Sequence, residues 1–586
     1  MKTLLLGSVA VFAMTVVAPA DAADLALIKA QERWTWSGIY VGGHIGSAMG
    51  LNTIANPLGP SLFGDDVHSP GYLGGAQIGA NWQSPGSAWV FGLEADASLA
   101  NLDGTNTCYA VSGVFTSLNC RAHTSAFGTM TGRTGLAFGP DGRSLAYIKG
   151  GLAWARSSID TIVNHNLMGV SGSSSAGVRS WGWAVGAGAE YAMSSHWSVW
   201  AEYDYLALGR SSVTVPRESA TTNPATGPVT GTFIQLPGTT VSQSIHTFKL
   251  GVNYLLAAGA PLPDGRTASV DAASRGKSPI HKARPVAVWA PGWEVEAGTR
   301  YWYSSGRFQK DIAPDLLGPQ NPTFNISRLT WNNLTGHSAE AFARVDTPIN
   351  VFAKGVIGGG LTLGGKINDE DWGLEPPGAA VHTGYSNTVG DASGNISYAT
   401  VDAGYDVFRG PDYKVGVFAG YSVITSNQSS ATCLQIALHA SGICHPPTYT
   451  FILGEYERWQ SLRVGGNLDV MLTPRWRLVA DVAYLPYVKF NGQDQHPHRP
   501  FIAEEWGTGV GTQVEAFVSY FVTPQFSLGA GGRYWAMWTT SGLACREPPQ
   551  GNCPAPEQNM QFKTDRFGLL FQAAYKWDET GVAVVR

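Results

Sequence analysis

Two short acidic motifs contain the residues of this chain whose types and spacing could do chemistry. Asp369 and Asp371 lie two positions apart in the segment Asp-Glu-Asp-Trp at 369–372, and Asp494 lies two positions before His496. On extended backbone, this spacing points both side chains of a pair to the same face. His496 could accept a proton from water while Asp494 fixes its tautomer. Asp369 and Asp371 could share a proton, because two nearby carboxylates resist ionising together.

A ten-stranded antiparallel pattern must position these motifs. Apolar residues alternate with small or polar ones from residue 292 to residue 577, which predicts one β-barrel. Tight turns that contain proline are expected on the periplasmic side, at 346–348, 409–412, 472–474 and 522–524. Longer loops are expected on the opposite side, near 306–325, 365–394, 428–455, 491–505 and 541–560. The first motif would then follow the third strand and the second motif the seventh, so that they face each other across the mouth.

The phase of the alternation raises one difficulty for this arrangement. On the third strand, even-numbered residues such as Thr362 fall on the expected lumenal face, so strict alternation would turn Asp369 outward. A β-bulge at Gly364-Gly365 would restore the phase, because one extra residue exchanges the two faces of a strand. Pro486 could have the same effect on the seventh strand.

A second alternating pattern, of eight strands, occupies residues 33–257. Its strands are predicted to begin near Ile39, Tyr72, Trp89, His123, Leu145, Trp181, Val199 and Phe248. Acidic residues fall on the inward face, namely Glu94, Asp96, Glu190, Glu202 and Asp204. Lys149 and Lys249 could pair with them. Because an eight-stranded barrel is just wide enough for side chains to fill it, we expect a plug of salt bridges rather than a catalytic set or a pore.

The composition is typical of an exported all-β membrane protein. The chain has 586 residues, and only 14% are charged, against about 25% in a typical soluble protein. Beyond the N-terminus there is no apolar run of about 20 residues, so we expect no membrane-spanning helix. The net charge of -5 gives no reason to expect nucleic-acid binding. We therefore predict two consecutive transmembrane antiparallel β-barrels, eight-stranded and then ten-stranded.

Three further segments complete the predicted organisation. Residues 1–22 are predicted to be a signal peptide, with Lys2, an apolar run over 4–17 and a small-x-small cleavage site at 20–22. An anchoring helix is the alternative, but the run is short for one. Residues 258–291 are rich in Ala, Pro, Ser, Lys and Arg and are expected to form a periplasmic linker. Residues 578–586 form a C-terminal tail, and export predicts an outer-membrane location.

The six cysteines fall in three close pairs, each in one predicted loop: Cys108 and Cys120, Cys433 and Cys444, Cys545 and Cys553. An exported protein meets an oxidising compartment, so three local disulfides are expected. A metal site is the weaker interpretation, because no His/Cys cluster has the spacing of zinc ligands.

The N-terminal pattern resembles a known class of surface proteins. Segments 36–43, 89–96 and 201–205 look like the alphaproteobacterial porin-like, OmpA-type small surface barrels. The resemblance covers residues 34–256 and implies a structural or surface-antigen role without enzyme activity.

The C-terminal pattern resembles the omptin family, the ten-stranded outer-membrane endopeptidases. The resemblance rests on 327–331, on the Asp-x-Asp-Trp motif at 369–372, on 414–421 and on the Asp-x-His motif at 494–496. It implies that Asp494 and His496 activate water, that Asp369 and Asp371 form the opposing carboxylate couple, and that no serine or cysteine nucleophile is needed.

The chain departs from the family pattern at the residues that contact substrate and lipid. Lys310 and Gly492 stand where the family's pocket acids select a basic residue before the cut. With Ser386 they are the candidate substrate-binding residues, so the preference for a basic residue is not carried over. Lipopolysaccharide is the activator that the resemblance implies. Tyr421 is kept, but Val423 and Thr425 replace its charged partners, which argues against lipid activation.

Three functions therefore remain open at this stage. The first is a surface endopeptidase that needs no cofactor and acts on polypeptides. The second is a non-enzymatic adhesion or envelope-structural barrel, in which the four motif residues form a solvated loop surface or a weak divalent-cation site. The third is a porin, which the filled N-terminal lumen disfavours. All three imply contact with outer-membrane lipid or lipopolysaccharide, and with the barrel-assembly machinery during biogenesis.

Overall fold

The structure, a computed structural model, is all-β. It describes residues 34–56, 59–60, 66–110, 117–139, 141–164, 173–220, 231–256, 287–289, 292–312, 327–374, 384–437, 444, 453–496, 501–545, 557–578 and 582–584. The predicted signal peptide and nearly all of the predicted linker lie outside these residues. No helix in these ranges is long and apolar enough to cross a membrane.

Eight long strands close into one antiparallel ring, here called the N-terminal ring, in which β1 pairs with β9. The strands of this half are β1 (Gly38–Asn56), β2 (Gly59–Pro60), β3 (Val67–Gln83), β4 (Trp89–Ala110), β5 (Ser117–Phe138), β6 (Ser144–Asn164), β7 (Ser173–Ala192), β8 (Trp197–Ala220) and β9 (Gly231–Leu255). The two-residue β2 only extends the sheet beside β1. The predicted number of long strands is confirmed, although several begin earlier than predicted, as β9 does at Gly231 rather than near Phe248.

Ten strands close a second sheet into a barrel, here called the C-terminal barrel, in which β11 pairs with β22. The strands of this half are β10 (Ala287–Trp289), β11 (Glu294–Ile312), β12 (Ser327–Asp346), β13 (Val351–Leu374), β14 (Gly384–Asp391), β15 (Ser393–Arg409), β16 (Tyr413–Ser430), β17 (Leu434–Ala437), β18 (Leu453–Met471), β19 (Trp476–His496), β20 (Phe501–Phe521), β21 (Phe526–Cys545), β22 (Glu557–Asp578) and β23 (Val582–Val584). Short β14 and β17 extend the sheet beside β13, and β10 pairs with β23.

The four predicted tight turns are confirmed, and they define what we call the turn end of the barrel. The predicted long loops at the opposite, distal end are partly wrong, because the strands continue into them. The segment 365–374 belongs to β13 and the segment 491–496 to β19, so the two acidic motifs lie in the last residue pairs of the ladder rather than after it. Continuous pairing explains this extension, because each added residue satisfies its backbone groups in the neighbouring strand.

Both predicted bulges are present. On β13, Thr362 pairs with Gly336 but Gly364 already pairs with Thr335, so the register shifts at the glycine pair. On β19, the register with β20 shifts between Leu485 and Val488, around Pro486. Each shift exchanges the two faces of the strand, because side chains alternate with a period of two. The distal parts of both strands therefore present the opposite parity to the lumen.

A belt of exposed apolar side chains surrounds the outside of both closed sheets. On β13 it includes Ile357, Leu361 and Leu363, and on β22 it includes Phe567, Leu569 and Phe571. Large apolar side chains outside and polar ones inside are typical of strands that face lipid on one side. On β13 the belt ends at the bulge, so the acidic motifs lie beyond it.

Charged side chains fill the N-terminal ring, as predicted. The ammonium of Lys149 lies 2.6 Å from Glu202 and 3.2 Å from Glu94, and that of Lys249 lies 2.9 Å from Asp204. Arg133 is a third cation that the sequence prediction missed. Its guanidinium lies 3.2 Å from Glu190 and stacks over two tyrosine rings. The ring thus has a packed, ion-paired interior.

The lumen of the C-terminal barrel is filled in two layers. Nearer the turn end, ion pairs cross it, including Arg300 with Glu515 at 2.9 Å and Lys354 with Asp481 at 2.6 Å. Above them lies a buried apolar cluster whose aromatic members are Trp302, Phe308, Trp331, Tyr398, Trp459, Phe490, Phe517, Trp535 and Phe562. This apolar layer forms the floor beneath the distal motifs.

The ring and the barrel touch along their outer faces. Near the turn end, the hydroxyl of Ser144 donates to the carbonyl of Leu472 at 2.6 Å, and the rings of Tyr191 and Tyr413 lie 5.8 Å apart. An apolar cluster joins residues of both sheets, among them Val199 and Val470. The contact continues at the distal end through polar side chains, described below.

Two of the predicted disulfides, Cys108–Cys120 and Cys433–Cys444, are formed. Cys545 is also disulfide-bonded, and its expected partner Cys553 lies outside the described residues.

We expect Lys149→Met to destabilise the N-terminal ring strongly. Removing one member of a buried ion-pair network leaves carboxylates unpaired and costs about 3–5 kcal/mol. Lys366→Met is the matched control, because its ion pair with Asp391 is about two-thirds exposed and is worth less than about 1 kcal/mol. Urea unfolding of the protein in lipid vesicles measures both. Equal effects of the two variants would contradict a stabilising role for the buried network.

Candidate functional site

The distal mouth of the C-terminal barrel brings together side chains from strands that are far apart in sequence. After its bulge, β13 turns Ile367, Asp369 and Asp371 inward, and β19 does the same with Phe490 and Asp494. Each strand thus places an apolar side chain on the floor and its acidic motif above it. Each motif is hydrogen-bonded to a neighbouring strand on both sides. This backbone is more rigid than the loops that the sequence predicted.

The predicted Asp–His pair is within hydrogen-bond distance. Nε2 of His496 lies 3.0 Å from Oδ2 of Asp494. The imidazole is the more accessible partner, with 30% of its side chain exposed against 13% for the carboxylate. With Nε2–H donating to Asp494, the lone pair on Nδ1 of a neutral ring is left to accept a proton.

Lys310 is a third member of this group. It does not line an open substrate pocket but lies buried among carboxylates. Its ammonium lies 2.9 Å from the same Oδ2 of Asp494, 2.7 Å from Glu455 and 3.0 Å from Glu505. The lysine is fully buried, with 1% of its side chain exposed. One cation therefore serves three carboxylates under the mouth.

The electrostatics divide these acids into two kinds. Burial opposes ionisation of Asp494, but Lys310 and His496 outweigh it and hold the pKa of that carboxyl well below its usual range. Burial and the neighbouring Glu505 raise the pKa of Glu455 well above its usual range. Burial likewise raises the pKa of Glu505. Lys310 thus has one ionised partner, Asp494, and two partners that favour the neutral acid.

The pKa of Asp369 is shifted in the direction expected for one member of a carboxylate couple. Burial, followed by the charges of Asp371 and Asp494, raises the pKa of Asp369 well above its usual range. The contribution of Asp494 means that the two motifs interact electrostatically. Asp369 therefore keeps a proton under conditions in which Asp494 has lost its own.

The two other predicted substrate-binding residues line the same region. Ser386 lies opposite Asp371 in the pairing of β13 with β14 and accepts a hydrogen bond from Gln435 at 2.8 Å. Gly492 lies two positions below Asp494, where an added Cβ would come within 2.6 Å of the Phe490 ring and 3.0 Å of Glu505. A side chain larger than hydrogen does not fit at residue 492 unless the aromatic floor moves.

The predicted lipid-contact residues lie on the outer face of β16. Tyr421 is exposed, and its hydroxyl accepts a hydrogen bond from Gln460 at 2.7 Å. Val423 and Thr425 follow it along the same face, so these three positions carry no charge. That lipid does not activate the protein therefore stays a prediction.

Sequence reasoning missed Glu455 and Glu505. Both lie in segments expected to be loops, and their lumenal direction follows only from continuation of β18 and β20. The signal that could have found Glu455 is the two-residue spacing of Glu455 and Glu457, which places both carboxylates on one face of a strand. Among the described residues, no three His, Cys, Asp or Glu side chains are placed to hold a metal ion.

In sequence, the N-terminal half is similar to known outer-membrane proteins. Residues 9–254 match the family described as outer membrane protein beta-barrel domain. The chain is 26% identical over 275 residues to the 31 kDa outer-membrane immunogenic protein of Brucella melitensis, and equally to that of Brucella suis, covering 43% of this chain and 99% of those proteins. Both findings support an outer-membrane location.

The matches to solved structures are distant. The outer membrane protease OmpT from Escherichia coli is 14% identical, with a TM-score of 0.40, over 48% of this chain and 97% of that one. Neisserial surface protein A is 16% identical, with a TM-score of 0.17, over 37% of this chain and 97% of that one. The protease activity for which OmpT is named is a property of that protein.

We expect Gly492→Ala to destabilise the C-terminal barrel by about 1–3 kcal/mol, because overpacking a filled interior forces side chains off their rotamers. Gly532→Ala is the control, because an added Cβ there meets only the carbonyl oxygen of Gly568, at 3.7 Å. Thermal loss of heat-modifiable migration on gels compares the two variants. If both variants melt together with the parent protein, the close contact at residue 492 is not a constraint.

Proposed function

We propose that the N-terminal ring and the C-terminal barrel are two consecutive transmembrane barrels, and that the second is a surface endopeptidase. The observation that carries the proposal is the hydrogen bond of 3.0 Å between His496 and Asp494, in a mouth where burial, Asp371 and Asp494 raise the pKa of Asp369. The exposed apolar belt and the outer-membrane match of the first half support the membrane placement.

The geometry supports a water-based mechanism. Nδ1 of His496 takes a proton from a water molecule as the water oxygen attacks a peptide carbonyl, and ionised Asp494 stabilises the resulting imidazolium. Protonated Asp369 donates a hydrogen bond to the carbonyl oxygen as negative charge develops there. The proton on His496 then passes to the leaving amine as the C–N bond breaks. The immediate products are a carboxylic acid and an amine, the imidazole returns to its neutral form, and the new acid then gives its proton to the amine or to solvent.

The apolar floor contributes to this mechanism by lowering the local dielectric. A neutral Asp369 and an ionised Asp494 can coexist because burial penalises charge wherever no cation compensates it. Lys310 compensates Asp494, since its ammonium lies 2.9 Å from that carboxylate. The mouth therefore holds an acid and a base at the same pH.

A non-enzymatic surface or envelope barrel is the second candidate, and one observation favours it. Oδ2 of Asp494 accepts from both His496 and Lys310, so the carboxylate that should serve the imidazole is shared with a buried ammonium. In this second function the group is a structural ion network at the mouth. A porin fits less well, since ion pairs and aromatic rings occupy the lumen.

The proposed peptidase would not select a basic residue before the cut. In the family resemblance, acids at the positions of Lys310 and Gly492 provide that preference. In this chain a lysine of the protein itself occupies the carboxylates of Glu455 and Glu505. We infer that the substrate is an unfolded polypeptide with an uncharged residue at that subsite.

Replacing either member of the Asp–His pair should abolish cleavage of a quenched fluorescent peptide by the refolded protein in detergent. We expect His496→Ala and Asp494→Asn each to lower kcat by at least about 100-fold, the usual contribution of general acid–base catalysis. His337→Ala is the matched control, because His337 hydrogen-bonds Tyr301 on the outer face of the same barrel. Heat-modifiable migration verifies folding. Folded variants that cleave as fast as the parent would contradict the peptidase proposal and favour the non-enzymatic barrel.

Replacing Lys310 should move the acid limb of the pH–rate profile. Lys310 holds the pKa of Asp494 down, so Lys310→Met raises that pKa, and Asp494 becomes protonated at a higher pH during acidification. We expect the acid limb to shift to higher pH in Lys310→Met and to stay in place in Lys310→Arg, which keeps the charge. An acid limb that is identical in all three proteins would show that the charge of Lys310 does not control the pH dependence of cleavage.

A further inference from the structure

Several charged residues on the strands of the candidate site point away from the lumen and are nevertheless buried. Asp311 of β11, Arg328 of β12 and Glu370 of β13 are 4%, 0% and 1% exposed. They lie beyond the apolar belt, on the face that strand alternation turns outward. Charges are almost never buried unless they are paired, so another surface must cover and satisfy them.

The N-terminal ring provides that surface. The hydroxyl of Thr107 donates to Glu370 at 2.8 Å and accepts from Arg328 at 2.9 Å. Asn119 accepts from the same guanidinium at 2.7 Å. The hydroxyl of Thr105 donates to Asp311 at 2.7 Å.

Two of these charges also bind each other. The guanidinium of Arg328 forms an ion pair with Asp311 at 2.7 Å, and Arg328 lies directly opposite Glu370 in the pairing of β12 with β13. Arg328 therefore joins β12 to β11 on the outside, and Thr107 of the ring connects it to Glu370 of β13. Two hydroxyls and one amide, none of them charged, satisfy a buried ionic group of the barrel.

Each of these outward acids is the chain neighbour of an inward site residue. Glu370 lies between Asp369 and Asp371, and Asp311 follows Lys310. Because successive side chains on a strand share one backbone, fixing Glu370 from outside limits how far the two flanking carboxylates can move. The lumenal site and the contact with the ring are the two faces of the same strand segments.

The strand ends that supply the contact are themselves tied together. Thr107 pairs with Asn119 in the ladder of β4 with β5, and the disulfide Cys108–Cys120 links these strands at the adjacent positions. The pair of residues that touches Arg328 is thus presented by a cross-linked hairpin end.

We propose that the N-terminal ring is a built-in positioning element for the candidate catalytic site of the C-terminal barrel, acting through Thr105, Thr107 and Asn119. The ring holds the distal ends of β11, β12 and β13 in register, so that Asp369 and Asp371 keep their place opposite Asp494. The catalytic part of this inference rests on the proposed peptidase function, whereas the positioning of the strands does not.

The test uses the full-length protein refolded in detergent and three single variants. Thr107→Val removes the hydroxyl but keeps the shape, Thr107→Ser restores the hydroxyl, and Thr124→Val is the matched control. Thr124 is equally buried in the ring, but its hydroxyl binds Ser157 and Gln243 of the ring itself. With the quenched peptide, we expect Thr107→Val to lower kcat about three- to tenfold at unchanged KM, and the other two variants to stay within about twofold of the parent.

Hydrogen–deuterium exchange gives a readout that does not depend on activity. We expect the amides of 366–374 to exchange at least about threefold faster in Thr107→Val than in Thr124→Val or Thr107→Ser. If the parent protein does not cleave the peptide, the peptidase proposal fails. The hydrogen–deuterium exchange of 366–374 then tests by itself whether the ring positions the strands. Unchanged exchange in Thr107→Val, or equal acceleration in Thr124→Val, overturns the inference. With an active parent, an unchanged kcat in Thr107→Val also overturns it.

Discussion

The parity of residues along each strand is the constraint on which the rest of this structure depends. In a closed antiparallel sheet, every side chain faces either the lumen or the outside, and one inserted residue exchanges the two. The bulges at Gly364 and Pro486 make that exchange on the two strands that carry the acidic motifs. Without them, either Asp369 and Asp494 would point outward or the strand segments below them would turn their apolar face away from the belt.

The filled lumen determines what the inward acids become. Aromatic rings such as Phe490 form an apolar floor, so each carboxyl above it favours the neutral form unless nearby cations outweigh the cost of burial. Lys310 and His496 lie beside Asp494, and this carboxyl is held ionised. Asp369 keeps its proton, because burial and the charge of Asp494 both oppose its ionisation. The difference between two chemically identical side chains comes from the placement of the Lys310 ammonium and of the His496 ring beside only one of them.

Much of this could be predicted from the sequence, because alternation and turn residues are local signals. Strand numbers, the turns, the need for a bulge near Gly364 and the inward acids of the first half all follow from spacing. Which side chains meet across a lumen does not follow from spacing, because it depends on strand tilt and stagger. Arg133 was missed for that reason, although it lies on an alternating strand. Glu455 and Glu505 were missed because they lie in segments expected to be loops. The distal strand extensions were missed because their polar composition is typical of loops.

The same parity that places Asp369 and Asp371 inside forces Glu370 outside, and a carboxylate there must find either solvent or a partner. In a single barrel that position would be solvated at the mouth. Here Thr107 of the N-terminal ring covers it, and Arg328 is covered with it. Burying an arginine is costly unless its hydrogen bonds are made, so the hydroxyl of Thr107 and the amide of Asn119 must replace the water that the ring excludes from Arg328. The outer face of the site therefore constrains the ring as well, because polar side chains of the ring must lie where the barrel presents Arg328, Asp311 and Glu370.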